Sequence, residues 1–170
     1  MDKKVVIGAD YAGWELKREI YSFLVGLYQL GFSRVRDISE EKPKADVDYP
    51  RVAEEVAHMV ADVRNESIGI LIGETGIGMS MAANKVKGIR AAACYTKSMA
   101  VVTRSREDSN ILCLGGGITA PRLAIEIVQA WLETLFVQEE RYHRRITQIG
   151  EIEAKQGFLE GYVRASRAVL

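Results

Sequence analysis

The chain has 170 residues, enough for one substantial hydrophobic core, and its 48% hydrophobic and 27% charged content is that of a globular protein. Lysine plus arginine and aspartate plus glutamate balance at 23 each, which removes the basic field that nucleic-acid or membrane-surface binding needs. No apolar run reaches membrane-spanning length, and Met1-Asp2-Lys3-Lys4 leads into a strand-like segment without a signal-peptide core, so a cytoplasmic protein is expected.

Val5–Gly8 reads as the first strand and runs into Asp10. Leu16, Ile20, Phe23, Leu24 and Leu27 then fall on one helical face. Val35–Ile38 is the second strand, followed by a charged segment from Ser39 to Asp48 that contains Pro43 and reads as an exposed loop. Val52, Val56 and Val60 recur at helical spacing before the third strand, Ile68–Ile72. Ile89–Cys94 and Asn110–Leu114 complete five strands. Cys94 and Cys113 sit singly in these apolar runs, as buried small hydrophobes in a reducing compartment do. Thr119 and Pro121 mark the start of a helix in which Leu123, Ile127, Trp131 and Leu135 repeat. From about Gln138 the chain is charged, with a broken helical pattern through Ile146, Ile149, Ile152, Phe158 and Leu159. A tail of that kind, residues 138–170, is expected to cover a neighbouring subunit.

Strands rich in Val, Ile and Ala, with little polar alternation, are buried on both faces, the usual state of a parallel sheet. Their regular alternation with helices predicts an α/β, doubly wound, five-stranded parallel sheet flanked by helices, with residues 1–170 forming one domain and a C-terminal helical extension. Ligands of such sheets bind beyond the carboxyl ends of the strands. Asp10, the segment Gly73–Gly78 and the segment Gly115–Gly117 fall there.

The middle of these segments carries the strongest signal. The run Ile68–Ile72 ends in Gly73, Gly76 and Gly78, and a small-residue helical segment follows, closing with Asn84 and Lys85. Glycines let a loop turn several amide N–H groups toward one point, and the helix that follows adds its unpaired N–H groups and positive dipole end. That is an anion site, most naturally for phosphate; the alternative is a ligand-free β-to-α turn. No Lys-Ser/Thr pair follows the last glycine, so it is not a Walker loop.

Taken together the landmarks resemble the family of ribose-5-phosphate isomerase B and galactose-6-phosphate isomerase. They are Gly8-Ala-Asp-Tyr-Ala-Gly13 with Lys17, Asp48-Tyr-Pro50, and Gly73-Glu-Thr-Gly-Ile-Gly78 with Ala82-Ala-Asn-Lys85. Gly88-Ile-Arg-Ala91, Asn110-Ile-Leu-Cys-Leu-Gly115, and Arg141 with Arg145 complete the set. The match runs from Val5 to about Ile146. The resemblance implies a Rossmann-like sheet, a homodimer or homotetramer with sites at subunit interfaces, and aldose–ketose isomerisation of a phosphorylated sugar without a metal or cofactor. It also implies that the amides from Glu74 to Gly78, Ile77 included, bind phosphate, with Arg141 and Arg145 reaching it across the interface. Arginine suits that role, although a solvated helix face is the plainer reading of the pair.

The catalytic positions depart from the family pattern. The cysteine base of many members is Gly73 here, the glutamate of a second branch is Met79, the histidine after the first-strand aspartate is Tyr11, and the His-Asn pair before the fifth strand is Arg106-Glu107. Glu74 is a candidate replacement base, its pKa raised by burial, or else an exposed loop residue. Asp10 matches the family's substrate-binding aspartate, the favoured role, with a helix N-cap as the alternative. Thr75 either reaches the sugar or braces the loop. Tyr11 is a candidate hydrogen-bond donor, Arg106 a cation for an enediolate or phosphate, and Glu107 a second possible base. His58 and His143 show no ligand clustering, so no metal is expected. The rival reading is a non-catalytic sugar-phosphate-binding subunit or sensor that needs a paralogous partner. A response-regulator domain is disfavoured, since its acidic cluster at the first strand is missing.

Overall fold

The computed structural model describes residues 4–29, 34–39, 41–45 and 47–167. Met1, Asp2, Lys3, Glu40, Asp46 and the side chains of Phe158 and Leu159 lie outside that description. Within it the strands are β1 (Lys4–Ala9), β2 (Val35–Asp37), β3 (Ser67–Gly73), β4 (Ala91–Ala93) and β5 (Ile111–Gly115). The α-helices are α1 (Trp14–Gln29), α2 (Tyr49–Ala61), α3 (Ile77–Ala83), α4 (Lys97–Glu107), α5 (Pro121–Glu133) and α6 (Glu140–Arg167). The chain divides into two compact units, Met1–Phe136 and Val137–Leu170. The first holds the sheet and five helices; the second is built on α6, an uninterrupted 28-residue helix where a broken pattern was expected.

All strand pairs are parallel, in the order β2-β1-β3-β5-β4. Connections leading from β1 to β2 and from β4 to β5 run one way across the sheet; those from β2 to β3 and from β3 to β4 run the other. Right-handed crossovers therefore put α1 and α4 on one face and α2 and α3 on the opposite face. The core follows that division. Leu16, Ile20 and Leu24 of α1 and Ile127, Val128 and Trp131 of α5 pack with Ile7, Ile70, Ile72, Leu112 and Leu114. Val52, Val56 and Val60 of α2 and Met79 and Ala83 of α3 pack with Val6, Leu71, Ile111 and Cys113. Leu123 and Leu135 do not join this core: they are 38% and 59% exposed, and Leu135 lies past the end of α5.

Adjacent strands β1 and β3 send their helices to opposite faces, and so do β3 and β5. A crevice opens at the carboxyl ends wherever neighbours diverge in this way. One charged pair fixes the sheet beside it. Lys17 of α1 is fully buried, with its ammonium 2.5 Å from Asp37 Oδ2 and donating to the Ser39 carbonyl at 2.6 Å. It also lies 4.0 Å from the Trp14 ring centre. The second Asp37 oxygen accepts the Ser39 N–H, and the Ser39 hydroxyl accepts the Ala9 N–H. The end of short edge strand β2 is thereby tied to β1. Replacing Lys17 by Met leaves Asp37 buried and unpaired, and a loss of about 3–5 kcal/mol is expected in urea unfolding of the variant.

Candidate active site

Three chain segments meet at the carboxyl edge with almost no side chain between them. The Gly116 N–H donates to the Gly73 carbonyl at 2.7 Å, and the Gly117 N–H to the Glu74 carbonyl at 2.9 Å. Gly76 has φ +77°, and a Cβ there would stand 2.9 Å from the carbonyl carbon of Leu114. A Cβ on Gly13 would strike the Ile72 carbonyl, and one on Gly116 would stand 2.8 Å from the Ala12 oxygen. The loops after β1, β3 and β5 thus form one joined surface.

Asp10 sits at its centre. Oδ1 accepts the Gly13 N–H at 2.8 Å, bracing the turn into α1, while Oδ2 faces Gly73: a Cβ on that glycine would lie 3.2 Å from it. The same Cβ would lie 3.1 Å from Met79 Cγ. The two family base positions, filled here by Gly73 and Met79, are therefore neighbours, and Asp10 reaches the spot they share. Thr75 holds the loop: its hydroxyl oxygen accepts the Ile77 N–H at 3.3 Å, and its carbonyl accepts the Tyr95 hydroxyl at 3.0 Å. Ile77's amide is thus already engaged.

Of the two readings of Glu74 the exposed loop residue is the one found, with its carboxylate against Gly117. Tyr11 is 49% exposed, with the Lys42 ammonium 4.5 Å from its ring centre. Tyr49 packs its ring on Gly78, where a Cβ would stand 2.7 Å from Cζ.

Other expected site residues fall elsewhere. Asn84 and Lys85 follow the last turn of α3, a helix length of roughly 10 Å from the loop. Asn84 spends its amide on the fold, Nδ2 donating to the Ala91 carbonyl and Oδ1 accepting the Ala91 N–H, both at 2.8 Å. Arg106 and Glu107 end α4, which returns the chain to the amino ends of the strands, away from Asp10 and the glycine loop of the same chain. There Arg90 Nε donates to the Glu107 carbonyl at 3.0 Å and bonds Asp108, and Asp108 in turn holds the buried Arg104. Within the second unit Arg141 pairs with Glu139 at 2.6 Å and donates to the Tyr142 hydroxyl at 3.0 Å, while Arg145 is exposed. His58 stands exposed, 3.9 Å from Glu54. Among the described residues no three His, Cys, Asp or Glu side chains converge as a metal site.

Sequence reasoning passed over Tyr95, Tyr49 and Lys42 as site residues. Tyr49 was within reach, since Asp48-Tyr-Pro50 opens a helix at the carboxyl edge. Tyr95 and Lys42 carry no local signal, because only the folded loops bring them to Thr75 and Tyr11.

A family model described as Ribose/Galactose Isomerase matches residues 5–149. D-erythrulose-4-phosphate isomerase of Pectobacterium atrosepticum is 39% identical over 132 residues, covering 78% of this chain and 84% of its own. Ribose-5-phosphate isomerase B of Escherichia coli K12 is 36% identical over 154 residues, covering 91% and 99%. The solved structure of Clostridium thermocellum ribose-5-phosphate isomerase B superposes with a TM-score of 0.81 at 42% identity, covering 90% of this chain and 99% of that one.

Gly76→Ala combines a left-handed backbone with a backbone clash, so it should cost about 2–5 kcal/mol by thermal or urea unfolding. Tyr95→Phe, which removes one hydrogen bond on Thr75, should cost about 1 kcal/mol in the same measurement.

Proposed function

The chain belongs to the ribose/galactose isomerase family and is a sugar-phosphate isomerase, and on that premise we propose that it interconverts an aldose and a ketose through an enediolate. The observation that carries the reading is the crevice between β1 and β3, where one carboxylate oxygen of Asp10 and the glycine loop that leads into α3 meet. The loop holds the phosphate through the amides around Gly76 and Gly78, placing C1 and C2 of the sugar toward Asp10 and Thr75. Tyr49 and Tyr11 flank that space, and the Lys42 ammonium adds positive charge beside it.

The substrate is a short phosphorylated sugar of the kind handled by the relatives, a ribose 5-phosphate or a tetrose 4-phosphate. The absence of histidine at Arg106 and Tyr11 favours the tetrose. A ketotetrose phosphorylated on its terminal oxygen has no hydroxyl left to close a furanose ring, and so needs no ring-opening acid. Arg141 and Arg145 belong to a separate unit, and we assign them to the phosphate of a neighbouring copy in a homo-oligomer. The buried, unpaired Cys94 and Cys113 fit residence in the cytoplasm.

Purified protein in deuterated water with ribose 5-phosphate, ribulose 5-phosphate, erythrulose 4-phosphate and galactose 6-phosphate tests this by proton NMR. Deuterium should enter C1 or C2 of one aldose–ketose pair as the two interconvert. Binding of these compounds without any exchange would instead establish the non-catalytic, sensor-like subunit.

A further inference from the structure

Enediolate chemistry needs a base held still, with a free proton-accepting oxygen that faces the sugar. Three carboxylates enter on sequence grounds. Glu107 lies at the amino ends of the strands, its carbonyl held by Arg90. Glu74 is close in sequence to the loop glycines, but it is exposed and its carboxylate rests on Gly117. Within one chain Asp10 alone of the three meets each requirement. Its Oδ1 is pinned by the Gly13 N–H at 2.8 Å, which sets the carboxylate plane. Its Oδ2 accepts no hydrogen bond among the described residues and points at Gly73. Because residue 73 is glycine, no side chain covers that oxygen. The buried Met79 thioether stands beside it as an apolar wall, and the divergence of α1 and α3 opens the crevice in front of it.

We propose that Asp10 Oδ2 is the base that carries the proton between C1 and C2, an assignment that rests on the isomerase reading above. In the aldose-to-ketose direction Asp10 takes the proton from C2. The electron pair of that C–H bond forms the C1=C2 bond, and the carbonyl oxygen on C1 takes the negative charge. Asp10 then returns the proton to C1, and the O2 hydroxyl proton passes to O1, which leaves the ketose and restores the carboxylate. Gly73 is the complement of this arrangement, since any larger residue there would stand on the working oxygen.

The test uses the full chain and the sugar phosphate that the wild-type protein turns over. Absence of exchange in wild type would fail the isomerase reading itself, before Asp10 is questioned. Asp10→Asn keeps the acceptor for Gly13 and removes the base, so circular dichroism and phosphosugar affinity should hold while kcat falls about 100- to 10,000-fold. A second variant adds Gly73→Cys to Asp10→Asn and puts a thiol next to the amide that replaces Oδ2, with the flexible Met79 side chain making room. Part of the exchange should return and become sensitive to iodoacetamide. The native cysteines do not confuse that readout: both are buried, and burial pushes the Cys94 thiol up to about 11. Asp10→Asn protein that keeps a third or more of kcat, or that loses activity wholly through KM, would overturn the assignment.

Discussion

The contact on which this structure depends is the bare approach of backbone to backbone at the carboxyl edge of the sheet. Gly13 lies on the Ile72 carbonyl, Gly76 on Leu114 and Gly116 on Ala12. None of these places has room for a Cβ, so the loops of three strands close into one surface only because each contributes a glycine at the crossing. That closeness brings Asp10 up to Gly73 and lets two amides of the fifth-strand loop bond carbonyls of the third. At those crossings the loops carry no side chain at all. In the mechanism proposed above, the chemistry falls to the few groups left standing: one aspartate, one threonine and the amides themselves.

Support for that surface also comes from side-chain contacts around it. Lys17 and Asp37, buried together under α1, tie β2 to β1 and set where the first loop leaves the sheet. Tyr95 reaches from the end of β4 to hold the Thr75 carbonyl. At the other end of the sheet Asp108, itself in a left-handed conformation at φ +46°, joins Arg90 to Arg104, and Trp131 donates to the Ser109 hydroxyl at 2.8 Å.

Much of this was legible from residue patterns. All five strands lie within two residues of their expected limits, because apolar runs flanked by glycine and charge leave little freedom in a parallel sheet. The tight turn at the glycine loop was legible too, since Gly73 closes the buried strand and Gly76, in a left-handed conformation, caps α3. Side-chain direction was not. Glu74 was open between a buried base and an exposed loop residue, because where its carboxylate turns depends on Gly117, more than forty positions away in the chain. Asn84, Arg106 and Glu107 were grouped with the site by their place in a motif; within one chain the length of α3 and the return path of α4 set them apart from Asp10. Leu123 and Leu135 fit a helical period, but α5 stops at Glu133 and turns only Ala124, Ile127, Val128, Ala130 and Trp131 inward.

Asn84 has a consequence beyond its own helix. β4 is three residues long and is the last strand on its side of the sheet, so its outer rim would offer the backbone of Ala91 to any passing extended chain. Asn84 occupies both groups at once, imitating with one amide the partner that a sixth strand would be. A foreign strand must first displace that amide to add itself there, which guards the rim against edge-to-edge aggregation without a charge or a proline.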